Sequence, residues 1–269
     1  MEDTPCIMCS SRETIRYGYY KTYRKYRCKS CGKQFSERSF SFFCRHRFPE
    51  EVIRNAILYG FFVSTRNIAF LVEETMNFSP SHVSAYNWII KFASLLNKQR
   101  RAIGFSKVWH VDEKFIKIRG CKDFAYLWVV MDDKSSIIAV HVSQKRDVMG
   151  ARTVLKIAKE RARKPPDILV TDGLQAYIRA CRKVFGRKAK HTRAHFETKR
   201  FMHKGHYYML SNNRIESLNS KINLWYKKHR GFKRIDSANL WSNMWMNFYN
   251  FMRPRTVPHE IISIHQLIR

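Results

Sequence analysis

Three acidic residues far apart in this chain could act together. Asp112 lies inside a strand-like run, Asp172 opens the turn Asp172-Gly173, and Glu216 follows Asn212-Asn213 at the start of a helical run. Carboxylates brought to one point can hold two divalent cations, and all-oxygen ligands favour Mg²⁺ or Mn²⁺ over Zn²⁺. Such a pair of ions activates a water or a 3′-hydroxyl and stabilises the leaving oxygen at a phosphodiester. A second constellation is softer. Cys6-Ile-Met-Cys9 and Cys28-Lys-Ser-Cys31 are two CxxC pairs with 18 residues between them. Two such knuckles complete a tetrahedral Zn²⁺ site. Gly32, directly after the second pair, suits a turn that needs positive φ.

Each feature has a plainer reading. Asp172-Gly173 could be an ordinary turn, and Glu216 an acid at a helix N-terminus. Asp112 is hardest to dismiss, because strands disfavour Asp. Glu113 is the weaker ligand candidate, since strand alternation turns it to the opposite face. Asp132 and Asp133 sit at a strand end and read as turn residues. The cysteines could be buried thiols, but paired spacing on both sides is specific. Cys44, Cys121 and Cys181 are isolated and read as core or surface thiols.

The elements that position these residues can be read in order. Residues 1–48 form a zinc ribbon, with Ile15 to Arg27 as a Tyr- and Arg-rich β-hairpin. Residues 49–104 form a small helical, helix-turn-helix-like domain. Pro49-Glu50-Glu51 opens its first helix, Ser64-Thr65 caps a second over 66–74, and Ser79-Pro80-Ser81 caps a third reaching about Leu96. Residues 105–235 hold strands at 108–118, 125–132 and 136–143, a helix over 146–163, a strand at 167–171, and a helix from Leu174 to about Phe185. A short strand near 188–191 and a helix from Asn213 follow. Residues 236–269 form a C-terminal helix and tail. The order β-β-β-α-β-α-β-α is that of a ribonuclease H-like α/β domain, a mixed five-stranded sheet with helices. In that topology Asp112, Asp172 and Glu216 converge at one edge of the sheet.

Charge narrows the partner. Lys and Arg number 51 against 21 Asp and Glu, a formal net charge of +30 over 269 residues. That excess points to a polyanion, most simply nucleic acid, and away from an ordinary metabolic enzyme. Residues 179–204 hold ten Lys or Arg and one acid, and residues 221–234 hold six and none. Aromatics are interleaved there, among them Tyr207, Tyr208, Trp225 and Tyr226, so phosphate binding and base stacking are both expected. A solvated basic face with core aromatics is the alternative, and core suits Trp225 better. No run of 18 apolar residues occurs, so no membrane partner is expected. The N-terminus lacks an apolar secretory core. A cytoplasmic, nucleoid-associated protein is expected.

These motifs resemble a known family. Trp109-His-Val-Asp112-Glu-Lys, Ile118-Arg-Gly120, Tyr126-Leu-Trp128, Val142-Ser143 with Arg146-Asp147, and Thr171-Asp172-Gly173 with Tyr177 are similar to the opening of the DDE domain in insertion-sequence transposases. Asn212-Asn213-Arg-Ile-Glu216 with Asn219, Arg230-Gly-Phe-Lys233, Tyr249-Asn-Phe251 and Arg253-Pro254 continue the resemblance, of the insertion-sequence-6 or 240-like type in the retroviral-integrase superfamily. The resemblance implies a DNA transposase that cuts at the element's terminal inverted repeats and joins 3′-hydroxyls to target DNA. It implies Asp112, Asp172 and Glu216 as the metal-binding triad, and a homodimer or higher assembly. Here 43 residues separate the last two acids, more than the family's usual interval, with the surplus in 195–210. Two other readings stay open: a domesticated or inactive copy that only binds DNA, and a structure-selective nuclease of the same fold.

Overall fold

The computed structural model describes residues 4–20, 23–36, 39, 41–44, 46–98, 104–119, 123–194, 198–229 and 231–252. Cys121, His195, the Arg253-Pro254 motif and the tail to 269 lie outside these residues.

The N-terminal segment is a three-stranded antiparallel sheet of β1 (Thr14–Tyr20), β2 (Tyr23–Cys28) and β3 (Gln34–Ser36), in that order. Among the described residues its core is Cys6, Tyr26, Cys28 and Phe35. A cluster this small offsets little of the entropy of ordering some thirty residues, and the four cysteines are gathered beside it.

Three helices follow: α1 (Glu50–Tyr59), α2 (Thr65–Met76) and α3 (His82–Lys98). The Ser64 side chain caps α2 by accepting from the Asn67 N–H, and Asn77 ends it with φ 55°, in the left-handed region. Val52, Ile53, Ala56, Ile57, Ile68, Val72, Trp88, Ile89 and Phe92 pack between them. These residues share one continuous core with the large sheet and the last two helices, and α3 packs on the last of those helices, which in turn lies on the sheet.

That sheet has the order β6-β5-β4-β7-β8. Its strands are β4 (Val108–Ile116), β5 (Ala125–Asp132), β6 (Ile137–Ser143), β7 (Ile168–Thr171) and β8 (Lys190–Arg193). β4, β5 and β6 pair antiparallel, and β7 and β8 run parallel to β4. The five strands, mixed pairing and intervening α4 (Val148–Ala162) and α5 (Gln175–Phe185) are the ribonuclease H-like arrangement that the strand order predicts. β4 to β7 are largely apolar on both faces because both are covered, whereas the edge strand β8 is polar and open. One face, with Trp109, Val111, Trp128 and Val130, meets α4 and α5. The other, with Ile116, Leu127, Val129 and Met131, meets α6 (Asn213–Lys228) and α7 (Ile235–Asn247), and α3 packs on the outside of α7. A π-helical turn, Phe248–Met252, continues α7.

Within the surplus interval 195–210, which could also be read as a DNA-contacting insertion, residues 199–210 form a hairpin of β9 (Lys199–His203) and β10 (His206–Leu210). Leu210, Phe201 and Tyr208 pack on Val108, Ile168 and Val170 at the β7 end of the sheet. Among the described residues no helix is long and apolar enough to cross a membrane.

Candidate metal and active site

The sheet positions its acids by register. β4 and β7 pair Val108 with Ile168, Trp109 with Leu169 and His110 with Val170. Two further steps bring Asp112 level with Asp172, where β7 has ended and no strand fills the gap beside β4. Gly173 adopts φ +107°, which turns the chain sharply away after Asp172. The Asp172 carboxylate accepts from the Leu174 N–H at 3.0 Å, so it does form the local turn foreseen as its plainer role. It also faces β4.

Carboxylate oxygens of Asp112, Glu113 and Asp172 lie within 4.8 Å of one another. Asp112 Oδ1 accepts from the Glu113 N–H at 2.9 Å, and its Oδ2 accepts from Asn219 Nδ2 on α6 at 2.6 Å. Burial first, then the charges of Glu113 and Asp172, push the Asp112 carboxyl from 3.8 up to about 7. Such repulsion is what a bound cation relieves.

Glu113 stands beside these two acids. Alternation does turn it to the α4–α5 face, yet it belongs to the acidic group. At the end of β7 both faces of β4 open into the same gap, so residues 112 and 113 reach Asp172 from either side. Glu113 is buried, with Oε1 accepting from Arg146 and Oε2 from the Tyr177 hydroxyl. Burial, then the Glu113 charge beside it, hold the Tyr177 phenol well above its ordinary range, so it stays a donor. Arg146 and Tyr177 were visible only as motif residues, and nothing in their spacing announced this clamp.

Glu216 is placed differently. It is half-buried in the first turn of α6, one turn before Asn219, and its carboxylate is not within the 4.8 Å group. Helical spacing sets it on the side of α6 that carries Asn219 towards Asp112. Asn219 Oδ1 is buried with no partner, leaving an oxygen beside Asp112. Hard carboxylate and amide oxygens around a strained Asp112 are a donor set that fits a divalent cation.

The four cysteines form the second cluster, with sulfurs within 4.8 Å of one another. Cys6 Sγ lies 3.6 Å from Cys31 Sγ, and Cys9 Sγ lies 3.6 Å from Cys28 Sγ. Those gaps are too long for disulfides, about 2.05 Å. They match the roughly 3.8 Å edge of a tetrahedron whose zinc–sulfur bonds are about 2.3 Å. Contacts led by the Cys31 backbone N–H draw the Cys28 thiol down while its partner Cys9 is pushed up, so the four sulfurs cannot all ionise together unless a cation joins them.

The chain is 25% identical over 134 residues to the transposase for insertion sequence-like element IS431mec of Staphylococcus aureus, in strains Mu50 and N315 alike. The shared region is 48% of this chain and 58% of those relatives, so the chain spans little more than half their length. Among solved structures, the HTLV-2 integrase catalytic core domain in complex with magnesium aligns at TM-score 0.40 and 16% identity, covering 63% of this chain and 100% of that one. A simian T-cell lymphotropic virus intasome aligns at TM-score 0.38 and 14% identity, covering 79% and 71%. Residues 106–253, more than half of the chain and inclusive of Asp112, Glu113, Asp172 and Glu216, match the DDE domain of IS240-type transposases, and the chain belongs to that family.

Proposed function

We propose that this chain is an insertion-sequence DNA transposase that binds the ends of its element, cuts there, and joins the freed 3′-hydroxyls to target DNA. One observation carries the reading. Within a matched DDE domain, Asp112 and Asp172 converge at a strand end and share their surroundings with α6.

Asp112 and Asp172 are assigned as the central cation ligands, with Glu216 as the third. Glu113 is assigned a supporting role, because both of its oxygens are already taken by Arg146 and Tyr177. Bound Mg²⁺ or Mn²⁺, two ions at work together, supply Lewis acidity at the attacking and leaving oxygens. The chain's own residues orient the carboxylates: Asn219 holds Asp112, and the Gly173 turn fixes Asp172. In cleavage a water oxygen bonds to phosphorus and the 3′-oxygen leaves. In joining that 3′-hydroxyl attacks a target phosphodiester, one P–O bond forms and one breaks, and no energy source is consumed.

The surplus of cations holds the DNA. The zinc ribbon, ligated by Cys6, Cys9, Cys28 and Cys31, and the helical segment are assigned to recognition of the terminal repeats. Since an element has two ends, the working form is a homodimer or larger assembly, acting at the nucleoid. The test is strand transfer with duplexes carrying the element's own inverted repeats. Asp112→Asn, Asp172→Asn and Glu216→Gln should each abolish metal-dependent joining while binding survives. Joining retained by any one of them refutes that residue's assignment. Binding by the unmodified chain without cleavage would favour a DNA-binding protein that has lost its chemistry.

A further inference from the structure

Next to the acidic group, on the α4–α5 face of the sheet, aromatic side chains stand open. Phe115 is 52% exposed and Phe124 47%. Their ring centroids are 5.9 Å apart at an interplanar angle of 73°, and Phe115 lies 5.3 Å from the half-buried Tyr126 ring. Phe115 follows Glu113 by two residues on β4, so both project from the same face about 7 Å apart. The cations around these rings are equally specific. Arg146, which bonds Glu113, also sets its guanidinium carbon 5.7 Å from the Phe115 centroid. Lys117 Nζ lies 5.6 Å from the Phe124 centroid.

We propose that Phe115 and Phe124 form a stacking seat for the base of the nucleotide adjoining the phosphodiester held at Asp112 and Asp172, with Arg146 and Lys117 facing that nucleotide's phosphates. This rests on the transposase reading and adds to it a binding site for an unpaired or terminal base. A ligand for this patch must offer a flat apolar face together with negative charge. A nucleotide has both in one unit, a base for the rings and a phosphate for the cations. A second copy of a chain with formal charge +30 brings the wrong sign to a patch already flanked by Arg146 and Lys117. Bases inside an intact duplex hide their faces in the stack, whereas the last base at a cut end presents one. The seat therefore selects a DNA end, which is the species the acids act upon. Its distance from Glu113 along one strand, and the shared Arg146, couple end recognition to the acidic group.

The experiment uses the full chain and a twelve-nucleotide oligothymidylate, with an abasic strand of equal length and an intact blunt-free hairpin duplex as controls. Phe115→Tyr keeps a ring, Phe115→Leu keeps apolar volume without one, and Phe115→Ala with Phe124→Ala removes the seat. The expected result is that the double Ala variant and Phe115→Leu bind oligothymidylate about tenfold or more weaker, in line with base stacking on an aromatic. Phe115→Tyr should bind as the parent does, and the abasic strand should bind all four proteins equally weakly. Binding to the closed duplex and Mn²⁺ uptake should not change. If the base-bearing and abasic strands bind alike, or if Phe115→Leu binds as tightly as the parent, the seat does not exist. If the substitutions instead dissociate an assembly in sedimentation equilibrium, the patch is a protein interface and the proposal is wrong. Loss of Mn²⁺ uptake by the unmodified chain would instead count against the transposase reading itself.

Discussion

Asn219 on α6 donates from Nδ2 to Asp112 Oδ2 on β4 at 2.6 Å, across 107 positions of the chain. The bond is charge-assisted when Asp112 is ionised, and it ties the helix that carries Glu216 to the strand that carries Asp112. Replacing Asn219 by Ala should therefore slow strand transfer about ten- to a hundredfold, the equivalent of one hydrogen bond to a charged group. DNA affinity should stay within twofold or so, because the side chain is uncharged, half-buried and committed to Asp112. An unchanged rate would show that α6 does not position Asp112.

The clamp on Glu113 makes a stability prediction. Tyr177 is fully buried, and its hydroxyl serves Glu113. Tyr177→Phe leaves a buried carboxylate oxygen with one donor fewer, at a cost of about 1–3 kcal/mol. Urea unfolding should register a lower midpoint at unchanged slope. No shift in midpoint would mean that Glu113 finds another donor and that the clamp contributes nothing.

Protons and cations should compete at Asp112. Its folded carboxyl titrates near 7, while the ordinary value is 3.8. Between those values the folded chain binds a proton that the unfolded chain has released. Stability without divalent ions therefore falls as pH rises from about 4 to 7, and the deficit is fully present above 7. A cation favours the ionised form, so the Tm gain from Mn²⁺ should be small at about pH 6 and larger at about pH 8. A gain that shrinks as pH rises would contradict the site.

Zinc should govern the N-terminal sheet alone. Chelation should unfold β1–β3, whose core is four residues, and expose Cys6, Cys9, Cys28 and Cys31 to alkylation. The large sheet has its own core and should keep its transition. Metal analysis should return about one zinc per chain. Absence of zinc, with all four thiols freely alkylated in the untreated protein, would overturn the ribbon.

Much of this architecture was legible from local pattern. Alternation and apolar runs marked β4 to β7, and Asn213 was read as the start of α6, where it lies. The two CxxC pairs announced a cluster because four ligands at fixed spacing leave few alternatives. What pattern could not convey was long-range. The β9–β10 hairpin is short, basic and only half-covered, so its periodicity is weak, and its role as a lid on Val108 and Ile168 is a tertiary fact. That Glu113 would stand within the acidic group was not legible, because alternation describes a strand inside a sheet, whereas β4 outruns β7 at this point. Asn219 and Tyr177 acquire meaning only when α6 and α5 are folded against β4.

Anomalous scattering from crystals of the full chain grown with Mn²⁺ would examine the assignment of the acids most directly. The account predicts a manganese peak bound by Asp112 and Asp172, with Glu216 turned in to join them and Glu113 still held by Arg146 and Tyr177. Manganese ligated by Glu113 with Asp172 left aside, or no peak near Asp112 at saturating ion, would contradict it.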